Sequence, residues 1–138
     1  MVDALQEVHR VLRPRGLLVD ARPDSRVLAY AEQVTPSGFR RVGTIRTSSR
    51  ELPNDRASDR AIATVVRQQL FRRGRRGRFW HRVMFDDLES LRDYLSEHLR
   101  FEKRARWTVD AAERRRIQDE SFAIRRAVRY ELLTRSSV

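Results

Sequence analysis

Asp20, Arg22 and Asp24 directly follow a short apolar run, Leu17-Leu18-Val19. Two carboxylates and a guanidinium at such a place could line a cleft, because open α/β sheets bind ligands beyond the carboxyl ends of their strands. With Pro23 among them, the same residues also have the chemistry of an ordinary solvated turn. No second half-site in the sequence pairs with them. A second group is Arg72, Arg73, Arg75, Arg76 and Arg78, followed by Phe79-Trp80-His81. Arginines beside aromatic rings can hold phosphates and stack on bases. The alternative is a solvated loop leading into a strand whose Phe79 and Trp80 pack inside the core.

The remaining chemistry is sparse. His9, His81 and His98 lack the close spacing of metal-ligating histidines. Asp86, Asp87 and Glu89 could be paired acid–base carboxylates, but their place ahead of an apolar helical stripe is explained by helix capping and the helix dipole. Cysteine is absent, which excludes disulfides, a thiolate nucleophile and cysteine metal sites. No serine sits in a nucleophile elbow.

The formal net charge of +11 would attract nucleic acid, anionic lipid or an acidic protein. Only Lys103 among the 30 basic residues is lysine, so the charge also fits the arginine bias of a GC-rich genome. The 138 residues make one domain's worth of chain, able to bury a modest core. There is neither a bilayer-length apolar run nor a signal-peptide core, and a cytoplasmic protein is the expectation.

The elements that would position these residues follow from periodicity. Residues 2–12 predict a helix with Ala4, Leu5, Val8, Val11 and Leu12 as its stripe, stopped by Pro14 and Gly16. Leu17-Leu18-Val19 then reads as a strand covered on both faces, as in a parallel sheet. Residues 26–47 predict a hairpin about Thr35-Pro36-Ser37-Gly38, and 48–55 a loop. A helix is expected from about 57 to 71, with Ala57, Ala61, Ile62, Val65, Val66 and Leu70 inward and Phe71 closing it. The arginine–glycine segment 72–78 should break it, and 79–85 alternates like a strand. Asp86 to Leu99 reads as a helix with Leu88, Leu91, Tyr94, Leu95 and Leu99 in its stripe. Thr108 could cap a helix at about 109–120 with Val109, Ala112 and Ile117 inward. The tail 122–134 fits helix or strand; its β-branched and aromatic content selects strand.

Residues 4–20 also carry a resemblance. Ala4-Leu5-Gln6-Glu7-Val8-His9-Arg10-Val11-Leu12-Arg13-Pro14-Arg15-Gly16-Leu17-Leu18 resembles the "ALxExxRVLRPGGxLL" helix-turn-strand of class I S-adenosylmethionine-dependent methyltransferases. Arg15 departs from the pattern, standing where the family has the first of two glycines; the turn tolerates it if its backbone angles stay negative. A weaker likeness to bacterial methyltransferase-like proteins runs through the hairpin, helix, strand and the segment Phe85-Asp86-Asp87-Leu88-Glu89-Ser90-Leu91-Arg92-Asp93-Tyr94-Leu95.

The resemblance implies an α/β fold: the second half of a Rossmann-like sheet with a β-hairpin insertion and flanking helices, the whole of 1–138 being the C-terminal half of such a domain. It implies S-adenosylmethionine as cofactor, but the family's glycine-rich loop and acidic ribose-binding residue would precede residue 1. Gly16, Gly38, Gly43, Gly74 and Gly77 form no such loop, so no catalytic or cofactor-binding residue carries over. The resemblance implies a methyltransferase-like protein or fragment unable to bind cofactor or catalyse alone; the net charge and the arginine patch give the alternative, a basic nucleic-acid- or polyanion-binding module using Arg72–Arg78. A half-sheet would expose an apolar edge and pair with its missing half or with a second copy.

Overall fold

In the computed structural model, which describes residues 1–46, 51–99 and 105–137, an α/β chain builds two compact units. The first comprises Met1–Asp24, Ser49–Phe79 and Val128–Val138, and the second Ser25–Ser48 and Trp80–Ala127. Six strands, β1 (Leu17–Pro23), β2 (Ala29–Thr35), β3 (Gly38–Ile45), β4 (Phe71–Phe85), β5 (Ala105–Trp107) and β6 (Phe122–Arg135), pair in the order β1-β6-β2-β3-β5, with β4 also on β6. The registers are antiparallel.

In the first unit, helix α1 (Val2–Val11) buries Leu5 and half-buries Val8, and Leu12 just past its end is half-buried too. Ala4 and Val11 remain exposed. The turn that follows puts Arg15 at φ 62°, in the left-handed region. The expected negative angle is therefore overturned: Arg15, not Gly16, carries the reversal. Gly16 is needed for space, since a Cβ there would lie 2.7 Å from the Arg13 carbonyl oxygen.

Strand β1 pairs with β6 from Leu17↔Thr134 to Pro23↔Val128. This corrects the expected parallel strand covered on both faces. An apolar triplet fixes neither the direction nor the identity of a partner more than a hundred residues away. The residues alternate instead. Leu18 packs with Leu133, Phe71, Ile62 and Val65, while Leu17 and Val19 are 52% and 54% exposed.

Helix α2 (Glu51–Arg67) covers that core with Ala61, Ile62 and Val65. It starts within the segment expected to be a loop, because Pro53 sits in its first turn, where a missing N–H costs nothing. Residues 48–50 of that expected loop, and residue 47 at the end of the expected hairpin, lie outside the described residues. Gln69, at φ 60°, ends the helical run. Phe71 does not close the helix; it opens β4 and is buried.

The arginine–glycine segment is thus strand, not a breaker loop. Phe71 packs with Leu133 and Arg73 bonds Glu131, while Gly77 and Phe79 lie against Tyr130. Residues 131 and 133 share one face of β6 and 130 the other. The alternation of β4 therefore slips between Arg73 and Gly77, where glycines permit irregular backbone.

In the second unit the hairpin forms as expected, β2 and β3 flanking Pro36-Ser37, with Gly38 at φ 132°. Leu88, Leu91 and Leu95, from helix α3 (Leu88–Tyr94) and the π-helical turn Leu95–Leu99, pack on Ala31, Val42, Phe122 and Ile124. Helix α4 (Ala111–Arg116) is capped by Asp110, not Thr108, the Asp110 carboxylate accepting from the Glu113 N–H at 2.7 Å. Ile117 is buried and Val109 half-buried as expected, but Ala112 is exposed. The tail is strand β6.

Candidate functional site

The strand exit at Asp20, Arg22 and Asp24 is neutralised within its own unit. Arg22 Nη2 donates to Asp20 at 2.8 Å and to Asp59 of α2 at 3.0 Å. Arg129, opposite Arg22 in register, places Nη2 2.9 Å from the same Asp59 carboxylate. Two carboxylates thus face two guanidiniums. Burial works to raise the Asp59 pKa, but hydrogen bonds and charge from Arg129 and Arg22 together hold it below the usual carboxylate range. Asp24 is buried and accepts from Arg78 at 2.7 Å. These residues form an ion-pair network in place of an open rim.

The five arginines divide. Arg73 bonds Glu131 at 2.6 Å and Arg78 bonds Asp24. Arg72, Arg75 and Arg76 are exposed, with no carboxylate partner among the described residues. They lie on a strand whose one partner among the described residues is β6. Charge on an edge strand keeps it from pairing with other chains, so position alone accounts for these three.

A different set converges in the second unit. Residues 30 and 32 of β2, 39 and 41 of β3, 80 and 82 of β4 and 125 of β6 crowd one side of the sheet. Its other side carries the apolar core beneath α3. Arg41 stands 3.6 Å above the Tyr30 ring, Tyr30 lies 6.2 Å from Trp80, and Arg125 stands 4.0 Å above Trp80. Arg82 stands 4.0 Å above Phe39 and donates to the buried Glu32 at 2.8 Å. Glu32 also lies 3.7 Å from Arg125.

Trp80 and Phe39 keep 39% and 44% of their surface exposed, against the expectation that Trp80 packs inside. The exposed Phe79 belongs to the other unit, where it meets Tyr130. Sequence reading missed this group. Its signal was three aromatic–charged pairs at strand spacing, Tyr30/Glu32, Phe39/Arg41 and Trp80/Arg82, whose convergence needs the hairpin register and the partners of β6.

Asp87, Glu89, Asp93, Asp119, Arg92, Ser96 and Gln118 line a shallow cleft of about 620 Å³. Asp87 is occupied as the N-cap of α3, accepting from the Ser90 N–H at 2.8 Å, which lowers its pKa. His9 meets Phe71 edge-on and His98 stacks on Tyr94, while His81 is exposed. Among the described residues no group of three potential ligands could hold a metal, and no helix is long and apolar enough to cross a membrane. Comparison with protein families, curated proteins and solved structures gave no match.

Proposed function

We propose that this chain is the back half of a class I methyltransferase-like domain, with the S-adenosylmethionine site contributed from outside these residues. The observation that carries the reading is β1. Leu17-Leu18-Val19 is apolar on both faces, yet only Leu18 of the three packs into the core, and no strand among the described residues pairs with the outer edge of β1. Such a strand suits the interior of a larger sheet. A further strand on its free edge and a layer over Leu17 and Val19 would complete it. Covering the exposed half of each side chain adds roughly 1 kcal/mol.

The helix-turn-strand at 4–20 supports the same reading, because α1, the tight turn and β1 form in the order the resemblance implies. Alone, the chain offers no glycine-rich loop to cradle the cofactor and no free carboxylate at the exit of β1, where Asp20 and Asp24 are paired with arginines. Methyl transfer requires donor and acceptor held in contact, so the isolated chain does not catalyse it. Isothermal titration with S-adenosylmethionine tests this: no saturable heat is expected, and stoichiometric binding overturns the division of the site.

A further inference from the structure

We infer that the open face of β2, β3, β4 and β6 in the second unit is a stacking site for single-stranded nucleic acid. The surface combines exposed aromatic rings with guanidiniums held against them. Trp80 and Phe39 keep large parts of their surface in solvent, and Arg41, Arg82 and Arg125 sit on or beside Tyr30, Phe39 and Trp80. Charge on this face does not cancel. Among the described residues Glu32, 6% exposed at its side chain, is the one carboxylate paired to these arginines, and it offsets one of three positive charges. Arg41 is exposed, with no carboxylate partner among the described residues.

The occupant follows from that chemistry. The guanidiniums lie over the rings, so planar bases stack on the ring surface left exposed and on the outer guanidinium faces, while the guanidinium N–H edges take the phosphates between successive bases. A duplex keeps its base faces stacked inside, so it cannot use exposed rings on a flat sheet. An acidic peptide would pair with the arginines but leave Phe39 and Trp80 uncovered. Arg72, Arg75 and Arg76, in the other unit, play no part in this site, and neither does β1.

The test uses the full chain and fluorescently labelled strands of about ten nucleotides, in RNA and DNA forms, against a blunt duplex of the same length. Fluorescence anisotropy is read at two salt concentrations. Single strands are expected to bind about tenfold or more tighter than duplex, with affinity falling as salt rises. Arg41→Ala and Phe39→Ala should each weaken binding roughly 5- to 50-fold. Phe39→Leu keeps the apolar bulk without the ring and should show the same loss, which separates stacking from folding. Replacing Arg72, Arg75 and Arg76 together by Gln should weaken binding less than Arg41→Ala. Preference of RNA over DNA, or the reverse, would identify the natural strand. Equal or tighter duplex binding, no binding at low salt, or a greater loss from the triple variant than from Arg41→Ala overturns the inference.

Discussion

Arg78 donates to Asp24 at 2.7 Å, and the Asp24 side chain has no solvent exposure. One residue belongs to the arginine segment and the other to the exit of β1. Two groups that could each have bound a ligand are therefore joined to one another. Arg78→Ala removes the guanidinium that donates to the buried Asp24 carboxylate and should destabilise the chain by about 1–3 kcal/mol. Arg76→Ala, removing an exposed side chain with no ion pair among the described residues, should change stability by less than about 0.5 kcal/mol. Chemical denaturation of the two variants checks the contrast.

Arg15 should respond to glycine in the opposite sense. A non-glycine residue in the left-handed region costs about 1–2 kcal/mol, while glycine loosens the unfolded chain by about 0.5–1 kcal/mol. The first term is larger, so Arg15→Gly should stabilise by up to about 1 kcal/mol. Gly16→Ala should destabilise by about 1–3 kcal/mol, because its methyl group meets the Arg13 carbonyl at 2.7 Å. Thermal unfolding of both variants should shift in opposite directions.

The lowered pKa of Asp59 makes stability depend on pH. Its folded value lies below the unfolded value of about 3.9, so its contribution is fully present above that value. It is lost as pH falls through the folded value, where the unfolded state takes up the proton first. Asp59→Asn should remove this part of the acid sensitivity, giving a flatter stability profile below about pH 4 than the parent chain. Denaturation midpoints measured at several acidic pH values read the difference.

Local patterns were legible where neighbours in sequence settle the structure. Pro36-Ser37-Gly38 fixed a hairpin, Leu88, Leu91 and Leu95 a buried stripe, and Val128, Tyr130 and Leu132 a strand. The failures share a physical cause. Arg72 to Arg78 lie on an edge strand with little burial, so no apolar alternation marks them. Pro53 and Asn54 read as loop residues, although the first turn of a helix accepts proline. The antiparallel pairing of β1 depends on the tail, and the ring–guanidinium face depends on four strands. Each strand shows at most its own aromatic–charged pair, and neither pairing can be read from one segment alone. Arg15 was misread because its conformation is set by the tight turn before Gly16 and not by its own preference.

Light scattering on the purified chain tests most directly the claim that β1 is an interior strand of a larger sheet. With its edge and the Leu17/Val19 face open, the chain should self-associate, and Val19→Lys should shift it towards monomer while preserving its circular dichroism. A parent chain that stays monodisperse and monomeric at high concentration would contradict the account.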